Sequence, residues 1–198
     1  AAGLGAVYGT CTVLFVVAVL ILQGVKYNHT PPPREPVTAK SLLAGIAFIR
    51  SNRVLLGAVS LDLFAVLLGG ATALLPIFAE EILRVGTEGL GLLRAAPAMG
   101  ALLVGVALAR RPLERHVGRK LLMAVAVFGL CMVVFGLSTS FWLSMVALVL
   151  SGAADMVSVV VRQTLVQIET PDEMRGRVSA VNSLFIGASN QLGEFESG

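Results

Sequence analysis

Charge is scarce in this chain. Asp, Glu, Lys and Arg make up 14% of its 198 residues, against about 25% in a soluble domain. That is too little to cover a soluble surface, and the apolar content excludes intrinsic disorder. There are only two cysteines, which excludes a disulfide scaffold. Cys11 and Cys131 lie in apolar runs and read as small hydrophobes. The two histidines, His29 and His116, fall in connectors between apolar runs and form no zinc-spaced set. There is no G-X-Y repeat, Walker A sequence, Rossmann fingerprint or G-x-S-x-G. We therefore expect no catalytic residues, no cofactor and no metal. The formal net charge of +3 does not imply nucleic acid, because the basic residues sit between apolar runs.

What is abundant is apolar sequence. The hydrophobic set is 56% of residues and the mean hydropathy is +0.86. A helical span needs about 20 mostly apolar residues to cross roughly 30 Å of hydrocarbon. Five stretches meet this: Gly3–Gln23, Val54–Ala79, Gly89–Ala109, Leu121–Leu137 and Phe141–Val161. The fourth is short, with ends that extend toward Gly118 and Ser138. A sixth begins near Val178. The first residue is Ala, and the last apolar stretch is unfinished at Gly198. We read both ends as cuts through a longer polypeptide.

The connectors differ in kind. Residues 26–53 form the longest, and Pro31, Pro32, Pro33 and Pro36 exclude helix from its first part. From Thr38, a candidate N-cap, Leu42, Leu43, Ile46 and Ile49 recur at helical spacing with Lys40, Arg50 and Arg53 near the ends. This predicts an amphipathic helix, lying on the membrane surface or packed on the helical bundle. Residues 80–88 form a short acidic connector and 110–120 a short basic one. Ser138, Thr139 and Ser140 make a tight turn before Phe141 and Trp142 at the membrane interface, and residues 162–177 are polar and mixed.

Consecutive spans alternate sides, so the connectors form two sets. One set holds 13 of the 15 basic residues; the other holds Arg84 and, near it, Arg94. By the positive-inside rule, residues 26–53, 110–120 and 162–177 face the cytoplasm.

Ionisable groups within a span cost about 2.5–3.5 kcal/mol at its centre and usually face a cavity or a partner. In the fifth span Ser151, Asp155, Ser158 and Arg162 fall at spacings of 4, 3 and 4, hence on one helical face. They suit a substrate or proton pathway; the alternatives are a structural Asp155–Arg162 pair or an interhelical hydrogen bond, with Arg162 snorkelling from near the cytoplasmic end. Asp62, in the second span between Leu61 and Leu63, is a candidate for proton coupling or for a fixed salt bridge to Arg94 of the third. Arg94 is a candidate for that pair, for an outward snorkel or for an anionic substrate group. Ser183, Gly187, Asn190 and Glu194 repeat the 4, 3, 4 spacing in the last segment, where Asn190 and Glu194 join the pathway candidates. Gly69, Gly70 and Ala73 in the second span, and Ala96, Gly100 and Ala101 in the third, permit close helix approach. Pro76 and Pro97 are candidate kinks.

Two cytoplasmic segments carry a family resemblance. Residues 111–120, ending Gly118-Arg119-Lys120, resemble the loop signature G-x-L-x-D-R-x-G-R-R/K of the major facilitator superfamily. Arg111, Arg115 and His116 stand where that signature has Gly, Asp and Arg, so its gating salt bridges are not carried over. Pro171-Asp-Glu-Met-Arg175-Gly176-Arg177 resembles the later loop of that family, P-x-x-x-R-G-R. The stretch through Asn182 to Glu194 is similar to the branch containing enterobactin-exporter-like and transmembrane secretion effector permeases.

The resemblance implies an all-α, polytopic helical bundle of the major facilitator type, of which the chain holds helices 6 to 11 of twelve. Residues 1–25 would be the last helix of the N-terminal half. Residues 26–53 would be the linker, and residues 54–198 would be helices 7 to 10 and part of 11. It also implies a plasma-membrane secondary transporter, a small-molecule exporter working by alternating access with a proton gradient and usually monomeric. Its partners are the substrate, protons and membrane lipid, and no nucleic acid. Gly118, Arg119, Lys120, Arg175, Gly176 and Arg177 fall to inner gating. A lipid flippase of the same fold, and a permease subunit or sensor without ion-coupled transport of its own, are the alternatives.

Overall fold

The computed structural model describes residues 2–24, 39–68, 74–110 and 117–197. The described residues form helices α1 (Ala2–Gln23), α2 (Ala39–Ser51), α3 (Arg53–Leu68), α4 (Leu75–Ile77), α5 (Thr87–Arg110), α6 (Val117–Leu137), α7 (Phe141–Glu169) and α8 (Asp172–Ser197). A π-helical turn, Phe78–Ile82, follows α4. There is no strand among them. The chain forms two compact units, residues 1–36 and 37–198.

The first unit holds α1, whose 22 residues extend about 33 Å; Tyr8–Gln23 within it is an apolar helix shorter than a full span. Its threonine hydroxyls are satisfied within the helix: Thr10 Oγ1 donates to Ala6 O and Thr12 Oγ1 to Tyr8 O, each at 2.8 Å. This is how a polar side chain survives without water.

In the second unit α5, α6 and α7 are long and apolar enough to cross a membrane, matching the third, fourth and fifth predicted spans. Three boundaries differ from the sequence reading. The second predicted span is divided between α3 and the α4–π segment, with residues 69–73, and so Gly69, Gly70 and Ala73, outside the described residues. Pro76 lies in the first turn of α4, where its missing N–H costs no bond. The acidic connector shrinks to residues 83–86, because Glu80 and Glu81 lie in the π turn. The polar connector 162–177 is mostly helix. Helix α7 runs on to Glu169, and only Thr170 and Pro171 separate it from α8. Thr170 is extended, at φ −107° and ψ 121°, as a residue before proline must be. Helix α8 is not among the helices apolar enough to span; it opens on Asp172, Glu173, Arg175 and Arg177 and returns to polar residues at Asn190 and Gln191.

Helix α7 is the axis of the unit, with α5 and α6 packed along it. Its crossing with α5 brings the two backbones together. A Cβ on Gly100 would collide with the Val149 carbonyl, and one on Gly152 with the Pro97 carbonyl. Helix α5 continues unbroken through Pro97. Near the predicted outer end, Leu75, Ala79, Leu93, Ala96, Phe135 and Leu148 form one buried cluster. The turn there is closed by serines: Ser138 Oγ donates to Ser140 O and accepts from Ser144 Oγ, both at 3.0 Å. Trp142 beside it is exposed and meets Phe141 edge-on.

At the other end α2 meets α3 at a bend of 103° between Leu42–Ser51 and Arg53–Leu61. Asn52 makes the elbow. Its Oδ1 accepts from the backbone N–H groups of Val54 (3.0 Å) and Leu55 (3.3 Å), which caps α3. Helix α2 takes the second form of the sequence expectation and packs on the bundle. Its Ile49 and Gly45 side packs on α8, where a Cβ on Gly45 would stand 3.0 Å from Arg177 O and 2.9 Å from Val181 Cγ2. Leu43, 64% exposed, and Ile46 lie on the open side. Thr38, the candidate cap, lies outside the described residues.

Candidate substrate pathway and cytoplasmic gate

The polar face of α7 is largely internal. Ser151, Ser158 and Arg162 are 2%, 5% and 3% exposed, while Asp155 between them is exposed. One helical face is thus divided: its ends are covered by neighbouring helices and its carboxylate opens outward. Ser151 spends its hydroxyl on its own helix, donating to Leu148 O at 2.8 Å. It shapes the wall and offers an oxygen lone pair. Asp155 and Arg162 lie seven residues, about 10 Å, apart along the axis.

The other pathway candidates are placed by their backbones. Asp62 lies in the middle of α3 and Arg94 in the second turn of α5, where it is exposed. Asn190 and Glu194 lie in the second half of α8. The side chains of Asp62, Asn190 and Glu194 are outside the described residues, so the Asp62–Arg94 pair is neither made nor broken here. Ser183 and Gly187 of the same α8 face are exposed.

The gating candidates prove to be helical. Gly118, Arg119 and Lys120 occupy the first turn of α6, and Arg175, Gly176 and Arg177 the first turns of α8. The sequence reading placed them in loops because hydropathy marks the membrane boundary, whereas the helices begin before it. Residues 111–116, with the remaining positions of the degenerate signature, lie outside the described residues. Arg175 clips two helix ends together: Nη1 is 2.8 Å from Asp172 Oδ1 and Nη2 donates to Gln167 O at 3.3 Å. A guanidinium at the C-terminal carbonyls of α7 also complements the helix dipole. Arg177 Nη1 approaches Met174 Sδ at 3.6 Å. A Cβ at Gly118 or Gly176 would meet nothing within 4 Å, so packing within this unit does not require glycine there.

Sequence reasoning missed three polar positions. Asn52 Nδ2 donates to Glu169 Oε2 at 3.1 Å, tying the α2–α3 elbow to the end of α7. An Asn breaking an apolar run is a helix-start signal, but its second partner lies 117 residues away. Asn182 and Ser189, one face of α8, are buried, and Ser189 Oγ donates to Phe185 O at 2.6 Å. Among the described residues no group of three His, Cys, Asp or Glu is placed to hold a metal ion.

Comparison with known proteins agrees with this architecture. The family model for transmembrane secretion effectors matches residues 1–196. Enterobactin exporters are similar to the chain: that of Citrobacter koseri is 34% identical over 155 residues, covering 76% of this chain and 36% of the relative. That of Escherichia coli O1:K1 is 32% identical over the same shares, and that of Shigella flexneri is 32% identical over 167 residues, 82% of this chain and 38% of the relative. The chain therefore spans under two-fifths of the length of these relatives. No solved structure matches it. With helical spans, two cytoplasmic signatures and a family match from end to end, the chain belongs to the transmembrane secretion effector family of major facilitator proteins, which places it in a multi-pass membrane protein of the inner-membrane type.

Proposed function

We propose that this chain is part of a secondary transporter that exports a small molecule by alternating access, driven by protons. It supplies helix 6, the linker, helices 7 to 10 and part of helix 11. The observation that carries the reading is the divided face of α7: between Ser151 and Arg162 every residue but Asp155 is buried or half-buried, and Asp155 opens outward, flanked by Ser151, Ser158 and Arg162. A carboxylate at membrane depth is costly and is retained where it can exchange a proton or contact a polar solute. The relatives named as enterobactin exporters suggest enterobactin as the first substrate to try.

In this account Asp155 carries the proton and contacts the substrate in turn. Asp62, Arg94, Asn190 and Glu194 complete the pathway. The basic turns at Arg119–Lys120 and Arg175–Arg177 close the cytoplasmic side when the substrate faces outward. Midplane sites between rocking halves are the general arrangement in such transporters.

The test is flux. The complete gene product is reconstituted in vesicles with a proton gradient, and movement of enterobactin is followed. Gradient-dependent flux supports the proposal. Binding without flux, or flux indifferent to the gradient, contradicts the transporter or its coupling respectively.

A further inference from the structure

A groove of about 350 Å³ runs between α5 and α6 with α7 as its floor. Its walls are Val104 of α5 and Met123 and Val127 of α6; Leu150, Ala153 and Val157 of α7 form the base. All of these are apolar. Among the described residues, the one charged residue lining it is Lys120, in the first turn of α6.

Three relations fix what suits it. First, depth: from Lys120 to Val127, and antiparallel from Val157 to Leu150, is seven residues, about 10 Å. A hydrocarbon core of roughly 30 Å gives each leaflet about half of that, so the groove lies within the leaflet on the basic side. Second, direction: at 100° per residue, Leu150 and Val157 lie about 140° and 160° around α7 from Asp155. The groove therefore opens on the side away from the proposed pathway. Third, chemistry: an apolar trough with one ammonium at its interfacial end matches an amphiphile with one anionic head and a hydrocarbon tail. Among the described lining residues a water-soluble anion would find one cation and no further polar partner.

We infer that this groove seats an acyl chain of an anionic phospholipid from the cytoplasmic leaflet, with the Lys120 ammonium on its headgroup phosphate. The lysine stem lies along apolar surface while its head stays at the interface, and the phosphate contact is a charge-assisted hydrogen bond. The site shares Lys120 with the cytoplasmic turn of the transport reading, but it does not need transport and stands or falls by binding alone.

The experiment is native mass spectrometry of the complete gene product, delipidated in detergent and titrated with phosphatidylglycerol or phosphatidylcholine. Phosphatidylglycerol is expected to be retained at the lower concentration. Lys120→Ala should weaken that retention about fivefold, the contribution of one basic residue near an anionic lipid surface. Lys120→Arg should restore it. Arg119→Ala, which removes an exposed neighbouring charge that does not line the groove, should leave it unchanged. Val127→Trp should obstruct the trough and displace the lipid, whereas Leu130→Trp, on an exposed position of the same helix outside the groove, should not. Equal retention of the two lipids overturns the site, as does equal loss from Lys120→Ala and Arg119→Ala. Undiminished phosphatidylglycerol binding in Val127→Trp overturns the acyl seat.

Discussion

Asn52 Nδ2 stands 3.1 Å from Glu169 Oε2, while Asn52 Oδ1 caps the first turn of α3. One amide thus holds a helix start, an elbow and the end of α7 together. Asn52→Ala should cost about 1 kcal/mol, the ordinary value of an N-cap, and increase proteolysis at the elbow. Asn52→Asp separates the two roles. It keeps a good cap but sets a carboxylate against Glu169, so the helix start should hold while the elbow loosens. Thermal unfolding and limited proteolysis of the three proteins read the difference.

The α5–α7 crossing depends on two glycines that face backbone. Gly100→Ala and Gly152→Ala should each force the helices apart and cost about 1–3 kcal/mol. Gly118→Ala and Gly176→Ala, where a methyl group meets open space, should leave the folded yield and Tm nearly unchanged. Equal effects in the two pairs would contradict the close crossing.

Arg84 has a φ of 51°, in the left-handed region that favours glycine. Val85 N–H bonds back to Ala79 O there at 2.8 Å, ending the π segment. Arg84→Gly should stabilise the protein by about 0.5–1 kcal/mol, the relieved strain less the entropy glycine loses. Arg84→Ala should bring no such gain. Chemical or thermal unfolding in detergent checks both.

Arg175 tests the gate against simple clipping. Its pair with Asp172 is exposed, and exposed pairs contribute about 0–1 kcal/mol. Arg175→Ala should therefore change Tm little. A gating role predicts a several-fold loss of flux at unchanged substrate binding; flux unaltered by Arg175→Ala leaves the residue as a clip between α7 and α8.

The third, fourth and fifth spans were legible because an apolar run of the right length has few other uses; the sixth was not, since α8 is too polar to count among the spanning helices. The ends of α7 and α8 were not, since hydropathy follows the bilayer and Arg162 to Glu169 continue the helix beyond it. Pro171, which does stop α7, was in plain view as a breaker. Gly100 was singled out as a close-approach residue and Gly152 was not, because a sequence does not say which helices cross. The 4, 3, 4 spacing put Ser151, Asp155, Ser158 and Arg162 on one face correctly. It did not separate the exposed Asp155 from its buried neighbours, because burial depends on which helix covers each turn.

The most direct test of the account is proton-driven flux of the complete gene product with Asp155→Asn. The substitution keeps the size and a hydrogen-bonding group but removes the titratable proton. The account predicts a folded protein that still binds substrate and has lost gradient-driven export. Export that follows the proton gradient as well in Asp155→Asn as in the unaltered protein would contradict it.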